Sequence, residues 1–336
     1  MTSAQSRQRR KTWSMFGDVK RRPTPYEAVT GKFLYHFRRD PVPFELDPDW
    51  TLNKWYLTHR EGSPLQVDDW EDFRDPDRLT YKDYVARQHD REVYVDALID
   101  EHEAAGSAGK LDPSWVNTLQ SAFVPLRFPL HILQMVGLYV GQMAPSSYIV
   151  NCAHFQAADE MRRIQRFAYW TKVLANAHGD GIAETSAARQ PWEEDPAWQG
   201  LRETLERLLI AYDWGEAFTA LNIVVKPAVD AFTNNVLGSV ADANGDRFLT
   251  ALCSEFARDA RRSQKWTQAL TAYALEREPE LSDVFGNWIG QWRPRADQAV
   301  EALSGQFAHA PKPFEPSQVT AQVREACDEF FAGTSL

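Results

Sequence analysis

Cysteine is scarce in this sequence. Its 336 residues include three cysteines, Cys152, Cys253 and Cys327, and none of them lies in a Cys-x-x-Cys pair. This scarcity argues against a disulfide framework and against a zinc site built from paired cysteines. Widely spaced single cysteines are typical of buried thiols in a reducing compartment, so we expect a cytoplasmic protein.

Long apolar runs are missing as well. The N-terminal residues carry positive charge without the apolar core of a secretory signal. No uncharged apolar run reaches the roughly 18 residues that a membrane span needs. The sequence therefore predicts neither a secreted protein nor a membrane protein.

Positive charge is in deficit. The 37 Lys and Arg residues are outnumbered by 47 Asp and Glu residues, which gives a formal net charge of −10. Nucleic-acid-binding proteins normally show the opposite balance, so this class is disfavoured. A basic cluster at residues 7–22 is interpreted as a solvated tail.

The motif that binds iron in helical bundles is also absent. Carboxylate-bridged di-iron bundles take one Glu from each of two helices and a Glu-x-x-His pair from each of two others. The residues three positions before the eight histidines are Phe33, Tyr56, Ala86, Ile99, Phe128, Asn151, Ala175 and Gln306. None of them is acidic. We therefore predict that this chain contributes no metal ligand.

Helical periodicity dominates what the sequence does contain. Residues 116–177 are predicted to form two long apolar helices joined by a turn at 143–147, where Pro145 ends one helix and Ser146 or Ser147 caps the next. Further helices are predicted at 79–106, 196–212, 221–236 with a kink at Pro227, 248–275, 284–303 and 319–331, with a polar loop at 179–196. No β alternation is visible, so the predicted fold class is all-α, built around two antiparallel helix pairs.

Residues 1–77 follow a different pattern. Prolines recur there and helical periodicity is weak, yet the segment is rich in aromatic residues. Irregular chain of this composition has to bury its rings somewhere. We predict an extended inter-subunit arm at 1–77, a helical bundle without a metal site at 78–310, and a linker with a C-terminal helix at 311–336. The alternative is an arm packed on the chain's own core.

Two places look like a Glu-x-x-His motif that has lost its histidine. Arg163 follows Glu160 by three residues, and Arg262 follows Asp259 by three residues. A guanidinium stays protonated and cannot bind iron, but it can pair with a carboxylate one helical turn away. Ordinary intrahelical ion pairs are the alternative interpretation.

Short motifs in a fixed order extend over nearly the whole chain. They are Arg10-Lys11-Thr12-Trp13-Ser14, Phe44-Glu45-Leu46-Asp47-Pro48-Asp49, Leu52-Asn53, Trp55-Tyr56, Ser63-Pro64-Leu65, Asp75-Pro76-Asp77, Gln134-Met135, Gln142-Met143-Ala144-Pro145, Trp198-Gln199-Gly200-Leu201-Arg202, Asp213-Trp214-Gly215-Glu216-Ala217-Phe218, Leu221-Asn222-Ile223-Val224-Val225-Lys226-Pro227 and Trp292-Arg293-Pro294. On these motifs the sequence resembles the hydroxylase β subunit of bacterial multicomponent di-iron monooxygenases, within the toluene and alkene (isoprene) branch.

The resemblance implies a ferritin-like bundle, related to ribonucleotide reductase, in a hydroxylase of paired αβγ protomers. The α subunit would hold a di-iron centre and oxidise toluene, benzene, isoprene or related hydrocarbons with O2 and NADH-derived electrons. An effector protein, a Rieske-type ferredoxin and an NADH reductase complete such systems. The chain itself would carry no active site, no catalytic residue and no cofactor, and would support and dimerise α.

The resemblance also places the lost ligand positions. They fall at Leu130, Glu160, Arg163, Gly215, Asp259 and Arg262, and an alignment shifted by one residue would exchange Gly215 for Glu216. The residues predicted to contact other subunits from the arm are Trp13, Tyr35, Phe44, Trp55, Tyr56 and Trp70.

Two other interpretations of the chain stay open at this point. One is a stand-alone helical enzyme that uses His154, Asp159 and Glu160, which lie near one another in the sequence of one helix. The other is a helical adaptor unrelated to oxygenases.

Overall fold

The computed structural model describes residues 22–31 and 47–336 of the chain, and these residues form α-helices, short 3₁₀ and π segments, and loops without a strand. The helices are α1 Pro25–Thr30, α2 Thr51–Tyr56, α3 Tyr81–Ala104, α4 Pro113–Ala122, α5 Arg127–Met143, α6 Ser147–His178, α7 Thr185–Glu194, α8 Pro196–Leu208, α9 Trp214–Phe218, α10 Lys226–Asp230, α11 Leu237–Ala243, α12 Arg247–Arg277, α13 Leu281–Ser304 and α14 Pro316–Ala332. The predicted all-α class is confirmed.

The predicted pair of apolar helices is α5 and α6. Pro145 lies in the turn between them, and the Ser146 side chain accepts a hydrogen bond from the Tyr148 N–H at 3.2 Å, which caps α6. The two helices approach closely because Gly141 has no Cβ. A Cβ there would lie 2.6 Å from Cδ2 of His154. The pair is therefore joined as the sequence predicted.

Residues Pro113–Met143 form a helical segment that is long and apolar enough to cross a membrane. The apolar helix was predicted from the sequence, but Arg127 interrupts its uncharged run, so it was not counted as a candidate membrane span. In the folded chain 67% of its most apolar window is buried. Burial of this extent is typical of a core helix, since a helix apolar on most faces packs inside a bundle.

The helical stretch from α9 to α11 is the most continuously buried part of the described chain. Every residue from 217 to 234 is buried. Two π-helical turns, Thr219–Val225 and Ala231–Val236, flank α10. The first lies directly before Pro227, which has no N–H to donate and whose ring crowds the preceding turn. The predicted distortion at Pro227 thus takes the form of π turns, which frequently mark functional sites.

The second half of the chain closes the bundle with α12, α13 and α14, as predicted. The polar loop predicted at 179–196 was wrong, because a 3₁₀ turn and α7 occupy most of it. Ala188 and Trp192 are buried one turn apart on α7. Their spacing was the helical signal, and the surrounding Gly, Glu and Asp residues obscured it.

The described part of residues 1–77 packs on the bundle of the same chain. Tyr26, Trp70 and Phe73 are buried, and the Trp70 ring meets the Trp214 ring edge-on at 5.3 Å between centroids. Half-buried Trp55 donates from Nε1 to the Tyr139 hydroxyl at 3.1 Å. The domain boundaries and the inter-subunit role of the arm stay predictions.

Candidate functional site

A closed ring of four charged side chains lies at the centre of the bundle. Glu160 and Arg163 come from α6, and Lys226 and Asp230 come from α10. All four side chains are at most 6% exposed. We call this set the ion ring. Buried charges are rare unless they are paired, so the ring is the feature of the core that most needs a chemical account.

Each carboxylate of the ion ring bonds both cations. Glu160 accepts from Arg163 Nη2 and from Lys226 Nζ, each at 2.5 Å. Asp230 accepts from Arg163 Nη1 at 2.8 Å and from Lys226 Nζ at 2.7 Å. Two negative and two positive charges balance, and each of the four carboxylate oxygens accepts at least one hydrogen bond.

The cations of the ring stay protonated. Burial alone would lower the pKa of Lys226 and of Arg163, because it penalises the charged form. The carboxylates of Asp230 and Glu160 outweigh that penalty and raise both pKa values above their ordinary values. Lys226 and Arg163 therefore stay charged near neutral pH.

The helices dictate this arrangement. Glu160 and Arg163 are three residues apart, and Lys226 and Asp230 are four residues apart, so each pair shares one helix face. Glu160 and Arg163 were predicted to pair, and their ion pair is present. Lys226 and Asp230 were missed as site residues. Charges four residues apart in an otherwise apolar helix were the available signal.

A second set of charges lies next to the ring, between α3, α6 and α12. We call it the outer network: Tyr84, Gln88, Arg91, Glu92, Asp159, Arg162, Glu255, Asp259 and Arg262. Arg162 Nη1 bonds Asp259 Oδ2 at 2.9 Å, and Arg91 Nε bonds Glu255 Oε1 at 2.5 Å. The network ties the three helices together electrostatically.

Arg262 does not pair as the sequence predicted. Its guanidinium contacts Asp159 on α6 rather than Asp259 one turn away on its own helix. Asp259 instead accepts from Arg91, Arg162 and Gln88. The i,i+3 rule fails here because other cations compete for Asp259.

The comparisons with known proteins decide the family. Residues 55–278 match the family model described as Methane/Phenol/Alkene Hydroxylase. The chain belongs to the methane/phenol/alkene hydroxylase family.

Curated relatives of this hydroxylase-family chain cover most of its length. The hydroxylase subunit beta of the toluene-4-monooxygenase system of Ectopseudomonas mendocina is 40% identical over 301 residues, covering 89% of this chain and 91% of that protein. The hydroxylase small subunit of propane 2-monooxygenase of a Gordonia species is 24% identical, covering 88% and 80%. The methane monooxygenase component A beta chain of Methylococcus capsulatus is 23% identical, covering 92% and 82%. The predicted resemblance to hydroxylase β subunits is confirmed.

Solved structures agree on the fold. A toluene 4-monooxygenase hydroxylase structure with bound toluene matches with a TM-score of 0.82 at 39% identity, covering 90% of this chain and 99% of that chain. The phenol hydroxylase of Pseudomonas sp. OX1 matches with a TM-score of 0.79 at 19% identity, covering 100% and 97%, which supports the fold alone. The predicted ferritin-like fold is confirmed.

Two of the predicted lost-ligand positions, and the alternative to one of them, lie outside the ion ring of this hydroxylase-family chain. Leu130 is fully buried in the apolar core. Gly215 packs against Leu65, Ser63 and Trp288, where a Cβ would lie within 2.9 Å of each. Glu216 Oε1 accepts from Trp292 Nε1 at 3.1 Å. The side chain that this part of the chain presents to Glu160 is therefore Lys226, rather than Gly215 or Glu216.

The donors of this family member do not fit a di-iron centre. Across the part of the chain that the structure describes, no group of three or more His, Cys, Asp and Glu side chains is placed to hold a metal ion. The carboxylates of Glu160 and Asp230 do face each other, but Lys226 and Arg163 lie between them. A protonated ammonium or guanidinium has no lone pair to offer a metal.

The constellation predicted for a stand-alone enzyme is not formed. His154 packs across Gly141 of α5, and burial lowers the pKa of its imidazole. Asp159 bonds the Tyr84 hydroxyl at 2.9 Å, and Glu160 belongs to the ion ring. The three side chains therefore contact three different sets of residues and do not converge on one site.

The aromatic residues predicted to contact other subunits fall into two groups. Trp13, Tyr35 and Phe44 lie outside the described residues. Trp55 and Tyr56 are half-buried, and Trp70 is buried within this chain. Their inter-subunit role stays a prediction.

Proposed function

We propose that this chain is the non-catalytic β subunit of the hydroxylase component of a multicomponent di-iron monooxygenase. The observation that carries the proposal is the ion ring, which fills the centre of a hydroxylase-family bundle with side-chain cations. A ferritin-like bundle that holds its own carboxylates in this way has no place for oxygen chemistry. The iron and the reaction then belong to a partner α subunit of the same family.

The substrate class follows from the relatives. The 40% identity with a toluene-4-monooxygenase subunit supports aromatic hydrocarbons or alkenes, such as toluene, benzene or isoprene. The reaction would use O2 and NADH-derived electrons. The residues that select the substrate would lie in the pocket of α, so this chain contributes to selection only through the shape it gives its partner.

The partners are the α and γ subunits, in paired αβγ protomers. An effector protein, a Rieske-type ferredoxin and an NADH reductase complete the system, which would operate in the cytoplasm. Several large apolar side chains are exposed on α3, and we propose that a partner subunit covers part of this helix. They are Tyr81, Val85, Val93 and Tyr94, which are 45–73% exposed.

A co-expression experiment tests the proposal. We expect this chain, produced with α and γ, to elute as one large assembly that contains iron. That assembly should hydroxylate toluene when it is supplied with O2, NADH, the effector protein, the ferredoxin and the reductase. Produced alone, it should carry only substoichiometric iron and show no turnover, because its cations exclude the metal. The measurements are size-exclusion chromatography, subunit masses and iron content, with α and γ lacking this chain as the control. Stoichiometric iron or turnover in the isolated chain would refute the proposal.

The N-terminal arm is proposed to be a tether to α. Replacing Trp13, Tyr35 and Phe44 together by Ala should weaken assembly with α roughly ten- to a hundred-fold, since aromatic anchors dominate the energy of interfaces. The measurement is a titration of the full-length variant with α and γ, with circular dichroism to follow helix content. Trp70→Ala is the contrasting variant, because Trp70 packs on Trp214 inside this chain. Trp70→Ala should lower the thermal stability of the chain more than its affinity for α. If the triple variant assembles with α as tightly as wild type, the arm is not the tether.

A further inference from the structure

We infer that an arginine-lined cavity between α3 and α12 receives an acidic segment of the α subunit. The inference rests on the proposed function, because that function supplies α as the partner. The cavity has a volume of about 570 Å³ and is lined by Arg87, Asp90, Arg91, Arg258 and Arg262. Four cations and one carboxylate give this lining a strong excess of positive charge, on a chain whose formal net charge is −10.

The two helices bring the four arginines together as two pairs. Arg87 and Arg91 are four residues apart on α3, and Arg258 and Arg262 are four residues apart on α12, so each pair shares one helix face. The two helices contact each other, and both pairs line the same cavity. Because a guanidinium offers a planar fork of N–H donors, this arrangement suits carboxylates.

Two of the guanidinium groups have donors available at the cavity. Arg87 Nη1 lies 3.8 Å from Asp77 Oδ2, and Arg258 Nη1 lies 3.5 Å from Glu255 Oε2. Both contacts are longer than a typical N–H···O hydrogen bond. The side chains of Arg87 and Arg258 are 46% and 61% exposed. An incoming carboxylate can therefore bind both groups without breaking a short hydrogen bond.

The cations of the cavity also repel one another. Burial lowers the pKa of the Arg262 guanidinium, and the charges of Arg87 and Arg91 lower it further. Tyr84 and Asp75 act in the opposite direction without restoring the ordinary value. An acidic ligand in the cavity would reduce this repulsion, so the cavity is electrostatically complementary to negative charge.

The size of the cavity favours a protein segment over a single inorganic anion. Pockets of about 300–1,000 Å³ hold ligands of drug size, so a volume of about 570 Å³ has room for several side chains. Tyr94 lies three residues after Arg91 on the same face of α3 and is 48% exposed. Its ring offers an apolar contact that a protein segment can use and an inorganic anion cannot.

A competition for places in the assembly tests the inference. The wild-type chain and a full-length variant are produced together with α and γ, and mass spectrometry gives their ratio in the purified assembly and in the soluble fraction. Arg87→Glu/Arg258→Glu should be depleted about tenfold from the assembly, because like charges across an interface disfavour association. Arg189→Glu/Arg207→Glu is the matched control on exposed faces of α7 and α8 and should be incorporated like wild type.

Asp90 provides a test in the opposite direction. It is the single carboxylate among the described residues that line the cavity, and it should repel an acidic segment. Asp90→Asn is therefore expected to be enriched about two- to fivefold in the assembly, the effect typical of one exposed charge. A variant that only disturbed the fold would be depleted instead, so enrichment distinguishes docking from folding.

Photo-crosslinking identifies the occupant of the cavity while all four arginines are in place. Tyr94 is replaced by p-benzoylphenylalanine, the full assembly is irradiated, and the crosslinked peptides are identified by mass spectrometry. We expect a segment of α that contains at least two Asp or Glu residues.

Three results would overturn the inference. They are equal incorporation of Arg87→Glu/Arg258→Glu and wild type, no enrichment of Asp90→Asn, and a crosslink to another chain or to a segment of α without acidic residues. In each case the wild-type chain still assembles with α, so the proposed function stands. A wild-type chain that does not assemble with α at all would refute the proposed function, and this inference with it.

Discussion

Arg163→Met is expected to lower the free energy of unfolding by about 3–5 kcal/mol, the cost typical of breaking a buried ion pair from one side. Methionine keeps the length of the side chain but removes the charge. Glu160 and Asp230 would then share Lys226 alone, with one negative charge left uncompensated in a fully buried site. The loss arises from the carboxylates left behind more than from the bonds removed.

The measurement is urea unfolding of the variant and of wild type in the same assembly. Arg189→Met is the matched control, because Arg189 pairs with Glu193 on an exposed face of α7 and is 64% exposed. Exposed pairs of this kind contribute about 0.2–1 kcal/mol. Equal effects of the two substitutions would mean that the ion ring is not a tightly coupled, desolvated unit.

Replacing all four charged side chains of the ion ring by apolar ones tests whether the loss in Arg163→Met comes from an unpaired buried charge. Buried ionic clusters can often be exchanged for apolar side chains of similar volume at little cost. Removing all four charges at once should therefore cost less than removing Arg163 alone. Such a result would separate the fold of this bundle, which apolar packing stabilises, from the ring, whose four charges fill a buried place between α6 and α10.

Much of this architecture could be predicted from the sequence because the start and end of a helix are set by residues within about one turn of it. Pro145 and Ser146 set the turn between α5 and α6, and Pro279 and Pro316 limit α12 and α14, because proline and capping residues act within one helical turn. The absence of an acid three residues before any histidine was equally local. From it alone the sequence predicts that this chain has no Glu-x-x-His iron ligands.

The partners of the buried charges could not be predicted in the same way. Arg163 pairs with Glu160 as its spacing indicated, but Arg262 pairs across the bundle with Asp159. Spacing along α12 identifies Asp259 as a possible partner of Arg262, but it cannot show whether a carboxylate on another helix, such as Asp159, lies closer. The spacing of Lys226 and Asp230 indicates that they pair with each other, but not that they face α6, because the two π turns that flank α10 change its rotation and a periodicity of 3.6 does not anticipate them.

A second expected result concerns Asp246, the N-cap residue of α12. Asp246→Asn should gain about 2.4 kcal/mol of unfolding free energy relative to wild type as the pH rises from 4 to 7, which is most of the full effect of the pKa shift. Burial raises the pKa of Asp246 from its ordinary 3.8 to about 6, although the Leu249 N–H and Trp115 Nε1 donate hydrogen bonds that pull it down. The shift of about two pKa units corresponds to about 3 kcal/mol.

The sign follows from which state holds the proton more tightly. Below pH 3.8 Asp246 is protonated in both the folded and the unfolded chain, so it contributes no penalty. Between 3.8 and about 6 the unfolded chain releases the proton first, and the folded chain loses stability as the pH rises. Above that window the carboxylate is charged in both states and the loss is complete. Asparagine does not titrate, so the Asp246→Asn variant does not lose stability in this pH window as the wild-type chain does.

The measurement is the difference in unfolding free energy between Asp246→Asn and wild type at pH 4 and at pH 7. Taking the difference between the two pH values removes any constant effect of the amide, including its altered hydrogen bond with Trp115. Asn is also a good N-cap, so the α12 terminus stays capped in the variant. Asp195, which caps α8 from a half-buried position, offers the matched control in Asp195→Asn. A difference that does not change between pH 4 and pH 7 would mean that solvent reaches Asp246, and that the buried N-terminus of α12 opens more readily than its packing against Trp115 implies.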